Sequence, residues 1–320
     1  MQRISDKPII VPERDAGKRL DAFLSAYLKR EKGDATPSRA KVREAIEAGA
    51  ALVNGDIERN PSKHLTRGDT VSFDMPEART ELLPNPDVPI DIIFESDELL
   101  VIDKPAGIAT HPTSPEETDT VASWVVAHAP EVIHIGEDPL RPGIVHRLDR
   151  NTTGILVIAK SVAAFDELKR IFSDRFAEKR YLAIVLGHAP EEPGEIRLPI
   201  APQTGTLKRQ AILPGKDVPE DAREALSHYR VKRRFVEHDL LEVSPKTGRT
   251  HQIRVHLAAI GCPVLGDRLY GGRRMNRDGV PARQMLHAGH LAFPWEGKTL
   301  TFEAPLPPDF TKTLSMLDEV

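Results

Sequence analysis

Apolar side chains recur at helical spacing from Leu20 onward: Leu20, Phe23, Leu24, Tyr27 and Leu28 fall on one face of an amphipathic helix that begins near residue 12. A polar break from Lys29 to Pro37 follows. Ser38 is a good cap for a second helix, which turns Val42, Ala45 and Ile46 inward and stops at Gly49. Then the period shortens to that of strands. Ala51–Val53 leads into Asn54-Gly55, a strong hairpin signal, and Gly68-Asp69 turns the chain into Thr70–Phe73. The pattern predicts a small domain over residues 12–75. Residues 76–91 hold four prolines and no period, which reads as a linker.

Beyond the linker, strand-length apolar runs stand at Ile92–Phe94, Leu99–Ile102, Gly143–Val145, Ile155–Ala159, Tyr181–Leu186, Ser227–Phe235 and Asp239–Val243. Helical patterns fit Val121–His128, Val162–Phe172 and Thr250–Ile260. Hairpin signals with few helices predict an α+β domain over residues 92–320 rather than regular βαβ alternation.

Composition narrows the class. At 29% charged and 40% hydrophobic residues, the 320-residue chain can bury a core, and no apolar run reaches the roughly 18 residues of a membrane span. One cysteine, Cys262, excludes an internal disulfide framework and suits a reducing cytoplasm. The net charge of −4 looks wrong for a nucleic-acid binder until it is divided along the chain. Residues 76–140 carry 2 Lys+Arg against 14 Asp+Glu, so the remainder is mildly basic and compatible with an RNA partner.

Two segments concentrate reactive side chains. In the first, a polar loop presenting His146, Arg147 and Asp149 lies between two apolar runs; ordinary turn chemistry by Asp149 and Thr152 accounts for it equally well. Its EF-hand-like spacing fails at position twelve, which is Lys160 instead of Glu. The second, Thr247 to Leu257, places Arg249, His251, Gln252, Arg254 and His256 at a helix start, suited to a phosphate or carboxylate. His251 and His256 are five apart, a poor spacing for one metal, and His287 with His290 lacks an acidic or thiol companion. No Gly-x-Gly fingerprint is present, and Gly297-Lys298-Thr299 lacks the earlier glycine of a phosphate loop.

Taken together and in order, these segments resemble the RluA-type pseudouridine synthases. The resemblance rests on Leu99 to Gly107 with His111-Pro112, on His146-Arg147-Leu148-Asp149 with Thr152-Thr153-Gly154, on Lys179 to Ala183, and on Gly248 to Leu257 continuing to Gly266-Asp267-Arg268-Leu269-Tyr270-Gly271. Residues 12–75 resemble the S-four (alpha-L) RNA-binding domain through Arg19-Leu20-Asp21, Ser38-Arg39 and Val53-Asn54-Gly55. The connection Leu28 to Pro37 is longer than is usual there, and Pro214 to Ala225 is an acidic excursion outside the pattern.

The resemblance implies a mixed, largely antiparallel sheet with a central cleft, a small alpha-L domain ahead of it, and no metal or cofactor. It implies isomerisation of uridine to pseudouridine in RNA, most like the subgroup acting on large-subunit ribosomal RNA. A monomer is expected, with neither DNA nor membrane as partner. Asp149 corresponds to the family's essential carboxylate, acting on the sugar at C1′, on the uracil ring, or as a base that yields a glycal. Tyr181 matches the platform for the uracil, and Arg254 the cation beside the carboxylate. Arg147 matches the residue of the flipped state; His146 and Arg249 join it as RNA contacts. Arg39 and Arg43, four apart on a helix, are candidate phosphate contacts, although a solvated helix face explains them equally. Transfer RNA is the alternative substrate, and a non-catalytic ribosome-assembly factor the alternative class.

Overall fold

The computed structural model describes residues 2–3, 8–32, 39–75, 82–113, 116–190, 193–203, 206, 208–275 and 279–318. The chain divides into two compact units, Met1–Arg79 and Thr80–Val320.

In the first unit, short strands β1 (Gln2–Arg3) and β2 (Ile9–Ile10) precede helices α1 (Leu20–Lys32) and α2 (Arg39–Glu47). Strands β3 (Ala51–Val53), β4 (Asp56–Glu58) and β5 (Thr70–Met75) complete an antiparallel sheet of order β1-β5-β3-β4, with β2 also on β5. Leu20, Phe23, Leu24 and Leu28 of α1 and Val42, Ala45 and Ile46 of α2 are buried with Val53, Val71 and Phe73, so both helical periods face one core. Tyr27 lies half-buried beneath the guanidinium of Arg30. Asn54 (φ 55°) and Gly55 (φ 92°) both take the left-handed conformation that a tight hairpin demands. The expected cap, Ser38, lies outside the described residues.

The second unit is built on a nine-stranded sheet. In chain order its elements are β6 (Asp91–Glu95), β7 (Leu99–Lys104), α3 (Val121–His128), β8 (Thr153–Ala159), α4 (Val162–Ser173), β9 (Glu178–Leu186), β10 (Gly194–Arg197), β11 (Ile200–Pro202), β12 (Arg209–Ala211), β13 (Leu226–Arg234), β14 (His238–Pro245), α5 (Gln252–Ala259), β15 (Leu286–Trp295), β16 (Lys298–Glu303) and α6 (Pro308–Ser315). The order is β10-β13-β14-β9-β15-β8-β7-β6, with β16 on β15 and a separate β11–β12 pair. Only the β8–β15 pairing is parallel, so the sheet is mixed and largely antiparallel, as expected. All seven residues of β8 are buried, and the core around β7 and β8 is closed by α3 and α4 through residues such as Trp124, Val125, Leu168 and Ile171.

Three expectations are corrected. Gly143–Val145 is not a strand: only Ile144 makes a bridge, to Ile158, while Gly143 takes φ 68° where a Cβ would stand 2.4 Å from the Ala159 carbonyl. The linker does not extend to residue 91. Leu82 and Val88 are buried in the core of the second unit, and the Asn85 amide N–H donates to the Ser123 carbonyl; residues 76–81 lie outside the described set. Finally, the helix expected from Thr250 begins at Gln252, because His251 sits in the left-handed region at φ 59°. The chain also builds a hairpin from β15 and β16 that carried no strand pattern. Gly289 and Pro294 interrupt β15 in sequence, and the Glu296-Gly297 turn is the very stretch that imitated a phosphate loop.

Candidate active site

Three stretches of chain meet where β9, β15 and β8 lie side by side. The loop ahead of β8 delivers residues 146–152, β9 contributes Tyr181, and the turn after β14 together with the first turn of α5 contributes Arg249 to Arg254. They line one cleft of about 730 Å³, which also takes in the end of α4. Its walls carry the cations Arg141, Arg147, Lys169, Arg175, Lys179, Lys246, Arg249 and Arg254 against the carboxylates Asp149 and Glu178. The acidity of the chain is spent elsewhere, and a cleft of this sign attracts a polyanion.

Among the described residues only one side-chain oxygen of Asp149 accepts a hydrogen bond. Its Oδ2 accepts from Arg254 Nη1 at 2.8 Å, while Oδ1 lies 3.9 Å from His251 Nε2, beyond hydrogen-bonding reach. Arg254 is fixed in turn by Asp267, which accepts from Nε at 2.7 Å and from Nη2 at 3.0 Å. The fork geometry leaves Nη1 free to point into the cleft. Burial alone would lower the pKa of Arg254; the hydrogen bonds and charges of Asp267 and Asp149 outweigh it and raise it, so the guanidinium stays protonated. Asp267 also accepts from the backbone N–H groups of Leu269 and Tyr270, and the Tyr270 ring lies 5.2 Å below the guanidinium. The Tyr270 hydroxyl is 2.8 Å from His251 Nδ1 and accepts from the Arg209 N–H, which pins the strained His251.

The loop carrying Asp149 is clamped from below. Thr110 Oγ1 donates to the Leu148 carbonyl and accepts from the Leu148 N–H. Fully buried Lys104 donates to the carbonyls of Pro105, Ile108 and Arg150. Burial pushes its ammonium down to about 7, against the nearby Asp149 charge, which favours the protonated form. Tyr181 stands half-buried in β9, and its hydroxyl makes no hydrogen bond with the described residues; burial and the Asp149 charge raise its pKa, so the ring stays a neutral phenol.

The remaining expected residues divide. Arg147 is exposed on the cleft and donates to His111 Nε2 at 3.2 Å; burial and Arg147 itself hold His111 down to about 4, hence neutral. His146 lines the same cleft but stacks on Phe172 at 4.3 Å and accepts from the Val157 N–H. Burial lowers it to about 3, so its ring is a neutral part of the wall. Arg249 is exposed at the rim, its Nε donating to the Glu224 carbonyl. Arg39 and Arg43 belong to the first unit. Arg39 is paired with buried Asp21, and Arg43 is exposed. Sequence reasoning passed over the positioning role of Asp267; its only signal was membership of the Gly266 to Gly271 motif. Among the described residues no three His, Cys, Asp or Glu side chains are grouped to hold a metal, and His287 and His290 are tied to Thr153 and Glu303.

The chain is similar to known proteins over most of its length. A family profile described as RNA pseudouridylate synthase matches residues 98–259. An uncharacterized RNA pseudouridine synthase of Synechocystis is 36% identical over 96% of this chain and 91% of its own length. The ribosomal large subunit pseudouridine synthase D of Xanthomonas campestris is 35% identical over 97% of this chain and 92% of its own. Among solved structures, human RNA pseudouridylate synthase domain containing 1 superposes with a TM-score of 0.58 at 26% identity, covering 74% of this chain and 91% of that one. This chain therefore belongs to the RluA-type RNA pseudouridine synthases, isomerases of uridine in RNA.

Proposed function

We propose that the chain isomerises uridines of large-subunit ribosomal RNA, with Asp149 as the carboxylate that acts on the flipped nucleotide. The observation that carries this reading is the asymmetry of Asp149, which lines the basic cleft: Arg254 donates to one oxygen, and the other accepts no hydrogen bond from the described residues and lies 3.9 Å from His251 Nε2. A carboxylate works as nucleophile or base only when ionised, and Asp149 lies 2.8 Å from the buried guanidinium of Arg254. Tyr181 offers an aromatic face to the uracil. Over the reaction the N1–C1′ bond breaks, the ring turns and C5 bonds to C1′. The C5 proton departs and N1 gains one, so no atoms are gained or lost. Extruding the uridine from folded RNA costs a few kcal/mol, which Arg147 and the other wall cations offset by holding phosphates.

Two observations support ribosomal RNA as the substrate. The Xanthomonas relative named for the large subunit aligns over nearly the whole chain. The first unit also has two helices on a small sheet, the organisation expected of an alpha-L RNA-binding domain. Tritium release from RNA labelled at uridine C5 tests both parts. Release from large-subunit RNA and not from transfer RNA, lost in Asp149→Ala, is the expected result. Equal release by the variant would remove Asp149 from the chemistry, and release from transfer RNA alone would overturn the substrate.

A further inference from the structure

Helix α4 ends against the cleft in an unusual way. The Phe176 N–H returns to the Ile171 carbonyl at 2.9 Å and the Arg175 N–H to the Phe172 carbonyl at 3.4 Å, the two bonds of a Schellman stop. The residue in the left-handed position of that motif is normally glycine; here it is Arg175, at φ 65°. An L side chain in that conformation is strained, and retained strain beside a binding cleft is a reason to look for a ligand. Phe176 follows it. In this motif an apolar residue usually folds back onto the helix, yet the Phe176 ring is 55% exposed and lines the cleft.

The two phenylalanines of this turn differ in what remains free. Phe172 is occupied, with His146 stacked on it and Lys179 5.7 Å from its centroid. Among the described residues Phe176 pairs with no other ring; Arg170 lies 5.9 Å from its centroid and is itself engaged by Glu167. Arg175, Lys246 and Arg249 share the cleft wall, and among the described residues none of the three has a carboxylate within ion-pair distance. An exposed aromatic face among unpaired cations is the combination that holds an unstacked nucleotide, because every base has a π-face and every nucleotide a phosphate.

We propose that the Arg175-Phe176 turn is a second nucleotide subsite of the cleft, where Phe176 stacks the base of a nucleotide neighbouring the flipped uridine and Arg175 holds its phosphate. The proposal rests on the RNA reading of the cleft and adds to it. The subsite steadies the RNA strand beside the extruded nucleotide, replacing stacking that flipping removes. It is generic in base identity, since stacking tolerates any base, and it acts on RNA affinity rather than on bond breaking.

Three full-length variants test it, with a large-subunit RNA transcript labelled at uridine C5 as the probe. Phe176→Ala is expected to raise KM about tenfold, with the loss falling on KM rather than kcat. Phe176→Trp is expected to restore KM, and its added fluorescence to be quenched on mixing with the transcript, a signature that a purely structural ring would not give. Arg175→Gly relaxes the turn, so it should hold or raise Tm while lowering the salt dependence of RNA binding by about one phosphate contact. An unchanged KM in Phe176→Ala, or Trp emission indifferent to RNA, overturns the subsite. The fluorescence arm needs no turnover, so quenching in a protein that releases no tritium would sink the catalytic reading and leave the subsite standing.

Discussion

In the first unit the fully buried Asp21 accepts from Arg19 at 2.9 Å and Arg39 at 3.0 Å, whose side chains are 37% and 54% exposed. In the second unit Asp267, 1% exposed, accepts twice from a single guanidinium that is itself only 8% exposed. Both clusters use a buried carboxylate that accepts an Nε/Nη2 fork from one arginine, but Asp21 takes a second guanidinium as well. Asp21 takes a two-bond fork from Arg19, Nε at 3.1 Å and Nη2 at 2.9 Å, and adds Arg39 at Oδ1, which ties α1 to α2. Asp267 spends both on one cation, fixing its plane so that the remaining Nη1 has a single place to go, which is Asp149. The first arrangement fastens helices together; the second aims a charge. What separates them is the burial of the arginine, since a buried guanidinium has no water to satisfy the N–H that its partner leaves over.

The largest effects should come from breaking the aimed charge. Asp149→Asn keeps the shape of the loop and removes the carboxylate, and we expect tritium release to fall by about 1,000-fold or more with Tm nearly unchanged. Loss of the fold together with activity would mean that Asp149 is a turn residue and nothing else. Asp267→Asn should cost both stability and rate. It leaves Arg254 buried with half its partners, a change of about 3–5 kcal/mol in unfolding free energy. It also frees Nη1 from its fixed direction, which should cut kcat by roughly 10- to 100-fold, the range for losing a charged hydrogen bond in place. A variant destabilised but fully active would show that Arg254 needs no aiming.

Asp21→Asn is the matching break in the first unit. We expect a loss of about 1–3 kcal/mol, read by hydrogen exchange of the amides in α1 and α2, with kcat on RNA unaffected. Acid sharpens the same point. Burial alone would raise the Asp21 carboxyl, but Arg39 and Arg19 outweigh it and hold the folded-state pKa below the ordinary range. Stability from this group is therefore fully present above the unfolded value of about 3.9 and is lost as the pH falls through the lower folded value. Protection of α1 and α2 should decline in that acidic window in the native chain, and the decline should be flatter in Asp21→Asn.

The contrast between the clusters also marks what could be read in advance. Helices α1, α2, α3 and α4 were legible because their apolar residues keep a 3.6 period, and β7 and β8 because they are continuous apolar runs buried on both faces. The first unit's turn at Asn54-Gly55 was legible because a two-residue hairpin leaves few alternatives. Strand β15, central to the second sheet, was not, since Gly289, Pro294 and two histidines disguise a segment whose partners lie over 100 residues away in β8 and β9. The candidate site was half-legible. Asp149, Tyr181 and Arg254 stood out through the family resemblance, whereas the pairing of Arg254 with Asp267 is a matter of direction in space that spacing along the chain does not record. His146 sits in the motif and lines the cleft, with its ring stacked on Phe172 and its Nε2 accepting from the Val157 N–H, contacts that spacing along the chain does not record.

The smallest expected effect separates two arginines on one helix. Arg39 is engaged by Asp21, while Arg43, one turn on, is exposed. If the first unit grips RNA through this face, Arg43→Ala should leave stability within about 0.5 kcal/mol and reduce the slope of log affinity against log salt by about one unit. Arg39→Ala should do the reverse in proportion, loosening α1 and α2 because Asp21 keeps only Arg19, with a smaller share of its effect in the salt slope. The measurement is RNA binding across a salt series beside hydrogen exchange on both variants. Equal salt slopes for Arg43→Ala and the native chain would make Arg43 a solvated charge. An Arg39→Ala variant that lost only RNA affinity would show that the Asp21 cluster aims a charge after all, and the distinction between the two buried carboxylates would then lie in degree of burial alone.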